Sequence, residues 1–364
     1  MMIPLHHHPR HQSSWLRWFY QLKNSRNPNR YYFFSVICAI VLSLPFLFVI
    51  ENASWTRKNS RDMRVYVKPE EITTIAHPST LHSYSHMLEV VIAIHSHPNN
   101  FDERDAIRHM WMHHAIATGK IAVIFCIGKS PERHGSINTR VLKESDEFGD
   151  ILLEDFIDTY DNLTIKSTLM LKYFHNNDIG TKVIFKVRKN GLVRRKGLLT
   201  IYHLQADDDV FVNPTELLRQ VRYWSYATDG FQKVMFGHAY NSPPIRLTTI
   251  FAPQKKWIMP RWMYPEDLYP TYLSGSGYII PSSEITCLYE AALETPLVYL
   301  EDVFVTGILA ETCGIRRQHN EFFLPNKRSP CLLNDSNFIL AHGIKLKDKE
   351  IIQEILTFGY SEHC

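Results

Sequence analysis

Asp207, Asp208 and Asp209 stand in succession within Leu204-Gln205-Ala206-Asp207-Asp208-Asp209-Val210-Phe211-Val212-Asn213-Pro214. Three adjacent like charges repel unless a cation lies among them. A hard divalent ion such as Mn²⁺ or Mg²⁺ takes oxygen ligands and keeps positions open for phosphate oxygens, so at a strand's end the cluster could hold a metal–diphosphate. A solvated acidic loop is the competing reading of the same residues. A Ca²⁺ loop ranks last, because the Asp-x-Asp-x-Asp-Gly…Glu spacing of an EF-hand is absent.

Two other stretches carry chemistry-bearing residues. Trp257, Trp262, Tyr264, Tyr269 and Tyr272 cluster with Pro260, Pro265 and Pro270, and the loop Leu273-Ser274-Gly275-Ser276-Gly277-Tyr278 lets backbone come close to a ligand. Aromatic faces suit the apolar C–H face of a sugar, although an ordinary aromatic core reads the same way. Further on, Glu301-Asp302-Val303 precedes a helical stretch that Asp302 could cap.

The surrounding elements decide where these residues can meet. Leu88 to Ile94, Lys120 to Ile127 and Ile151 to Leu153 read as strands, while Asp102 to Ala117, Asn162 to Asn176, Pro214 to Trp224 and Ser283 to Leu293 have helical spacing. Such alternation predicts an α/β sheet with parallel strands, whose ligands collect at the strands' carboxyl ends. The acidic triplet falls at such an end.

A net charge of +3 over 364 residues does not suggest a nucleic-acid partner. Tyr31 to Ile50 carries no charge and is long enough to cross a bilayer as a helix. Thirty residues precede it and no small-residue cleavage site follows cleanly, which favours an uncleaved anchor over a signal peptide. Arg17, Lys23, Arg26 and Arg30 before it nearly balance Arg57, Lys58, Arg61 and Arg64 after it, so charge alone leaves the orientation open. The sequons at Asn162 and Asn334, with Cys126, Cys287, Cys313, Cys331 and Cys364, permit a luminal bulk domain. Residues 1–30 read as a cytosolic tail, 31–50 as a signal anchor, 51–86 as an aperiodic stem and 87–364 as the folded domain.

From about Asp102 to His342 the chain resembles the β1,3-galactosyltransferase family, glycosyltransferase family 31. The motifs that carry the resemblance stand in order: Arg104-x-x-x-Arg108-x-x-Trp111; Phe148-Gly149-Asp150-Ile151 through Asp155-Phe156-Ile157-Asp158-Thr159-Tyr160-Asp161-Asn162-Leu163-Thr164-Ile165-Lys166; Asp207 to Asn213; Pro244-Ile245-Arg246; Lys256-Trp257; Tyr269 to Tyr278; and Glu301-Asp302-Val303. The resemblance implies a GT-A fold in a type II Golgi membrane protein with its catalytic domain in the lumen. It further implies a metal-dependent inverting transferase that moves a hexose, galactose or an N-acetylhexosamine, from a UDP-sugar to a 3-hydroxyl of a glycan acceptor.

By the same resemblance Asp209 binds Mn²⁺ or Mg²⁺ with His342 as a second ligand, although a lone surface histidine reads equally well. Asp207 and Asp208 lie near the ribose and diphosphate. Asp302 is the base, with Glu301 beside it to raise its pKa by like-charge repulsion. Arg104, Arg108 and Lys166 hold the nucleotide, although the two arginines could equally pair with carboxylates. Gly275, Ser276 and Gly277 approach the donor, and Trp257 and Tyr272 meet the acceptor. A homodimer is left open as a partner.

Several departures from the family pattern stand out. Met112 follows Trp111 where relatives commonly have Gly. Two cysteines that relatives commonly carry are missing together, which suggests another constraint, Cys313 with Cys331. Nineteen residues, Val187 to Gln205, separate Thr181-Lys182-Val183-Ile184-Phe185-Lys186 from Ala206-Asp207, where the family runs straight on. Val187-Arg188 can be encoded as GTA-AGA and Gln205 as CAG, the borders of a retained short intron; a β-hairpin turning at Asn190-Gly191 is the rival reading. These departures keep a second class alive: a membrane-anchored, non-catalytic relative that acts as a chaperone for another glycosyltransferase.

Overall fold

The computed structural model describes residues 28–43, 48–49, 55, 57–83, 88–131, 135–177, 202–227, 233–246, 248–249, 256–326, 329–331, 338–345 and 348–364. The chain divides into two compact units, residues 1–52 with 245–258 and residues 53–244 with 259–364. The smaller unit contains the helix Pro28–Ser43 and an antiparallel pair of two-residue strands, β1 (Phe48–Val49) and β9 (Thr248–Thr249). No helix among the described residues is long and apolar enough to cross a membrane. Most of the stretch expected as an insertion, and the sequon asparagine Asn334, lie outside the described residues.

In the larger unit the strands are β2 (Thr74–Ala76), β3 (Val90–His95), β4 (Ile121–Lys129), β5 (Ile151–Ile157), β6 (Tyr202–Asp207), β7 (Val210–Val212) and β8 (Val234–Tyr240). They continue with β10 (Tyr272–Pro281), β11 (Arg316–His319), β12 (Phe323–Leu324) and β13 (Leu340–His342). Eight of them form one sheet in the order β11-β8-β10-β6-β3-β4-β5-β2. The run β6-β3-β4-β5 is parallel, as the strand–helix alternation predicts. Every residue of β3 is buried, and successive side chains serve opposite cores. Val91 and Ala93 pack on one side, Val90, Ile92 and Ile94 on the other. Such a doubly covered sheet needs continuous rather than alternating apolar strands, and the β3 and β4 sequences supply them. This mixed α/β architecture with a large, mainly parallel sheet fits a GT-A-like fold.

The folded unit begins earlier than the sequence suggests. Trp55, Met63, Val67 and Leu81 of the expected stem are buried in the core. Arg61 donates to the carbonyls of Leu297 and Met263, and the buried Lys172 Nζ to those of Val67, Lys68 and Glu71. Thr74–Ala76 adds a strand to the sheet edge against β5. Without apolar periodicity this stretch looks unstructured, yet partners distant in sequence satisfy its backbone groups.

The cysteine pairing also differs from expectation. Cys313 bonds Cys287, not Cys331, and Cys331 bonds Cys364. Cys287, on the helix Ile285–Glu294, comes within 6.0 Å (Cα–Cα) of Cys313, which follows the short helix Ala310–Thr312. Spatial packing rather than spacing sets that proximity.

Candidate active site

Strand β6 lies between β3 and β10 at the middle of the sheet and ends at Asp207. The turn at Asp208-Asp209 leads into β7, which pairs antiparallel with β13 so that His342 faces Val210. The backbone N–H groups of Gly343 and Ile344 both donate to the Asp209 carbonyl at 2.9 Å. This ladder carries a histidine from the end of the chain to the acidic turn. Its Nε2 lies 3.3 Å from Asp209 Oδ1, and ligand atoms of Asp207, Asp209 and His342 all lie within 4.8 Å of one another.

Electrostatics mark the same place. Burial, together with Asp209, Asp208 and Glu301, pushes the Asp207 carboxyl well up, opposed by Lys166. Burial also raises Asp209, with His342 pulling the other way. His342 Nδ1 is buried with no hydrogen-bond partner among the described residues. Two neighbouring carboxylates and one imidazole form a donor set that fits a divalent cation. Asp208 points elsewhere and accepts from Asn100 Nδ2 at 2.9 Å. A cavity of about 500 Å³ opens beside Asp208 and Asp209, bordered by Asn100, Glu103, Met110 and Lys345.

Arg104 and Arg108 do not reach into that cavity. Arg104 is fully buried, with two N–H groups on Glu144, one on Ser96 Oγ and the others on the carbonyls of His97 and Pro98, so all five donors are taken. Arg108 bridges Asp150 and Glu144. The carboxylate-pairing reading therefore holds for both, and Arg104 also holds the loop that leads to Asn100. Lys166 is likewise enclosed, its Nζ 2.7 Å from Asp158 Oδ2 and 2.8 Å from the Ser96 carbonyl. Met112 is buried beside Trp111 in the core, which accounts for that departure as packing.

The Ser-Gly stretch is a bulge within β10. Leu273 pairs with Ala239 and Tyr278 with Gly237, so the residues between them bow away from β8. Gly275 rests against Asp302: a Cβ there would lie 3.5 Å from the Asp302 carboxyl. Gly277 pairs with Ala206, next to Asp207, and a Cβ on it would meet Leu340 at 2.4 Å. Its glycine serves packing, and the buried Ser276 is spent on Ser274, 3.0 Å away. The bulge thus ties the acidic turn on β6 to Asp302.

Asp302 caps the π-helical turn Val303–Leu309, its Oδ1 accepting from the Val303 N–H at 2.8 Å. Burial and Glu301 push its carboxyl up to about 7. The rings of Tyr240 and Tyr272 stand 5.7 Å apart on neighbouring strands; burial raises both phenols, hydrogen bonds to Ser274 and Ser242 oppose it, and the Asp302 charge adds to it. Tyr240, Asn100 and Lys345 have no motif to announce them in the sequence. Trp257, the other aromatic expected at the acceptor, belongs to the smaller unit, where Lys256 lies over its indole. At the first sequon, the Asn162 amide donates to the Ile157 carbonyl, and Thr164 is buried with its hydroxyl on the Val298 carbonyl.

The pattern that defines the galactosyltransferase family matches residues 102–205 and 199–321. The chain belongs to that family. Its two matched segments meet within 199–205, at the end of the stretch read as an insertion. Beta-1,3-galactosyltransferase 1 of mouse and of human are each 32% identical over 256 residues, covering 70% of this chain and 70% of theirs. Zebrafish lactosylceramide 1,3-N-acetyl-beta-D-glucosaminyltransferase A is 26% identical, over 70% of this chain and 62% of its own. The motif residues of this family member fall at the turn after β6, the β10 bulge and the start of the Val303–Leu309 helix.

Proposed function

We propose that the chain is a metal-dependent, inverting glycosyltransferase that moves a hexose from a UDP-sugar to a 3-hydroxyl of a glycan acceptor, forming a β1,3 linkage. Galactose is the favoured sugar, with an N-acetylhexosamine as the variant. We further propose that it works in the Golgi lumen, anchored as a type II membrane protein through residues 31–50. The reading rests on one observation: the β10 bulge joins an Asp207–Asp209–His342 cluster to the enclosed carboxylate of Asp302, which burial pushes up. The relatives' names supply the linkage.

Asp207, Asp209 and His342 would hold Mn²⁺ or Mg²⁺, which neutralises charge on a departing diphosphate. Asn100 and Lys345 border the cavity in which the nucleotide would sit. Inversion needs a single displacement. The acceptor hydroxyl gives its proton to Asp302 Oδ as its oxygen attacks the anomeric carbon, and the carbon–oxygen bond to UDP breaks on the opposite face. Tyr272 and Tyr240 would orient the acceptor ring against that carboxylate. The test is incubation of purified protein with Mn²⁺, a panel of UDP-sugars and glycan acceptors, reading donor consumption. Acceptor-dependent release of UDP from one donor is expected. Consumption of none would leave the non-catalytic chaperone.

A further inference from the structure

Glu301 sits behind Asp302 in a cluster whose protons do not add up if it is ionised. Three side chains converge on its Oε1: Tyr278 Oη at 2.6 Å, Ser167 Oγ at 2.7 Å and Gln205 Nε2 at 3.0 Å. Tyr278 Oη also lies 2.7 Å from Gln205 Oε1. Four hydrogen bonds thus link four side chains. Tyr278, Ser167 and the Gln205 amide can each put one proton into them, and an ionised carboxylate supplies none. One bond is left with oxygen facing oxygen.

Exchanging the oxygen and nitrogen of the Gln205 amide does not cure the deficit. Gln205 would then donate to Tyr278 and Tyr278 to Glu301, but the amide oxygen would confront Glu301 Oε1 with no proton between them. Either arrangement closes when Glu301 itself carries a proton. The cluster is also enclosed: Gln205, Glu301 and Ser167 are all buried, and a partly satisfied polar cluster is costly there.

We propose that Glu301 is a neutral carboxylic acid in the protein at neutral pH, donating within this cluster, and that it is a positioning residue for Asp302 rather than a second anion beside it. The charged groups facing the cluster are Asp302 on the same segment, Asp207 at the end of β6, and Lys166 on the helix Leu163–Asn176, which is paired with Asp158. Two of these are acids that disfavour a further negative charge, and the lysine is already paired. Burial moves Glu301 upward against the pull of its three hydrogen bonds, and Tyr278, pushed well upward, keeps its proton. With Glu301 neutral, burial alone holds Asp302 up, without the like-charge repulsion that an ionised Glu301 would add. The positioning role rests on Asp302 being the base; the protonation does not.

Infrared spectroscopy of the full chain with ¹³C-labelled glutamate at pH 7 tests it. A protonated-carboxyl stretch present in the wild type and lost in Glu301→Gln is expected. Tyr278→Phe removes one donor and two of the four bonds, leaving Ser167 and Gln205 to serve an ionised Glu301, so the band should be lost there too. A wild-type spectrum lacking that band overturns the proposal. In active protein, Glu301→Gln should leave the acid limb of the pH–rate profile in place, because no charge is removed. A limb displaced to lower pH would mean that an anion had been lost and would overturn it as well. If no donor is consumed at all, the transferase reading fails while the infrared result still decides the proton.

Discussion

Nε2 of His342 lies 3.3 Å from Oδ1 of Asp209, across an antiparallel ladder that joins the last strand of the fold to the acidic turn. If the two share an ion, His342→Ala should weaken Mn²⁺ binding by more than about tenfold, because even residues that only orient metal ligands typically contribute that much. Calorimetric titration measures it. Unchanged affinity would return His342 to an ordinary surface histidine.

Asp302→Asn keeps the shape and the helix cap but cannot take a proton. Turnover should fall by about 10²- to 10⁴-fold, the usual contribution of a general base, while UDP affinity is held. Steady-state kinetics beside UDP titration separates the two. A variant that turns over at the wild-type rate would remove Asp302 as the base.

The Asp302 carboxyl, pushed up to about 7, sets a pH dependence with a definite sign. A protonated Asp302 cannot accept the hydroxyl proton, so kcat/KM should rise with pH along a limb above the ordinary carboxylate range and then level; a neutral Glu301, whose charge contributes to that value, sets the limb below about 7. An acid limb near the ordinary carboxylate range would contradict the placement of Asp302 in its enclosed position.

Arg104 predicts a stability effect rather than a binding effect. Arg104→Ala leaves the buried Glu144 carboxylate to Arg108 alone; breaking a buried pair outright typically costs about 3–5 kcal/mol, so a loss at or below the low end of that range is expected. Chemical denaturation should show that loss. Arg104→Lys should not restore it, because an ammonium cannot reproduce the two-pronged bond to Glu144. A variant of wild-type stability with a raised KM for donor would instead favour direct nucleotide contact.

Residues 187–205 make the last prediction. Leu204 and Gln205 are buried in β6, and Gln205 holds Glu301. Removing 187–205 would leave Phe185 and Lys186 immediately before Ala206. If the segment is a retained intron, sequencing of the mature transcript will lack those codons. In the shortened chain a lysine two positions before Asp207 should ionise Glu301 and abolish its protonated-carboxyl band. A transcript that contains the codons establishes the longer strand.

The sequence by itself determined the architecture and the location of the acids. Apolar runs at Leu88–Ile94 and Lys120–Ile127 read as strands, which the structure has at Val90–His95 and Ile121–Lys129, and the motifs from Arg104 to Asp302 carry the family. Those signals are local, written in periodicity and short spacing. The tertiary structure alone decided who meets whom. It set Arg104 and Arg108 on Glu144 and Asp150, Gly277 under Leu340, Cys313 on Cys287, and the apparent stem into the core. It also gathered Ser167, Gln205, Tyr278 and Glu301 around one proton. Charge pairing, close approach and proton sharing depend on distances of a few ångströms between residues far apart in the chain. Residue types and spacing do not encode those distances.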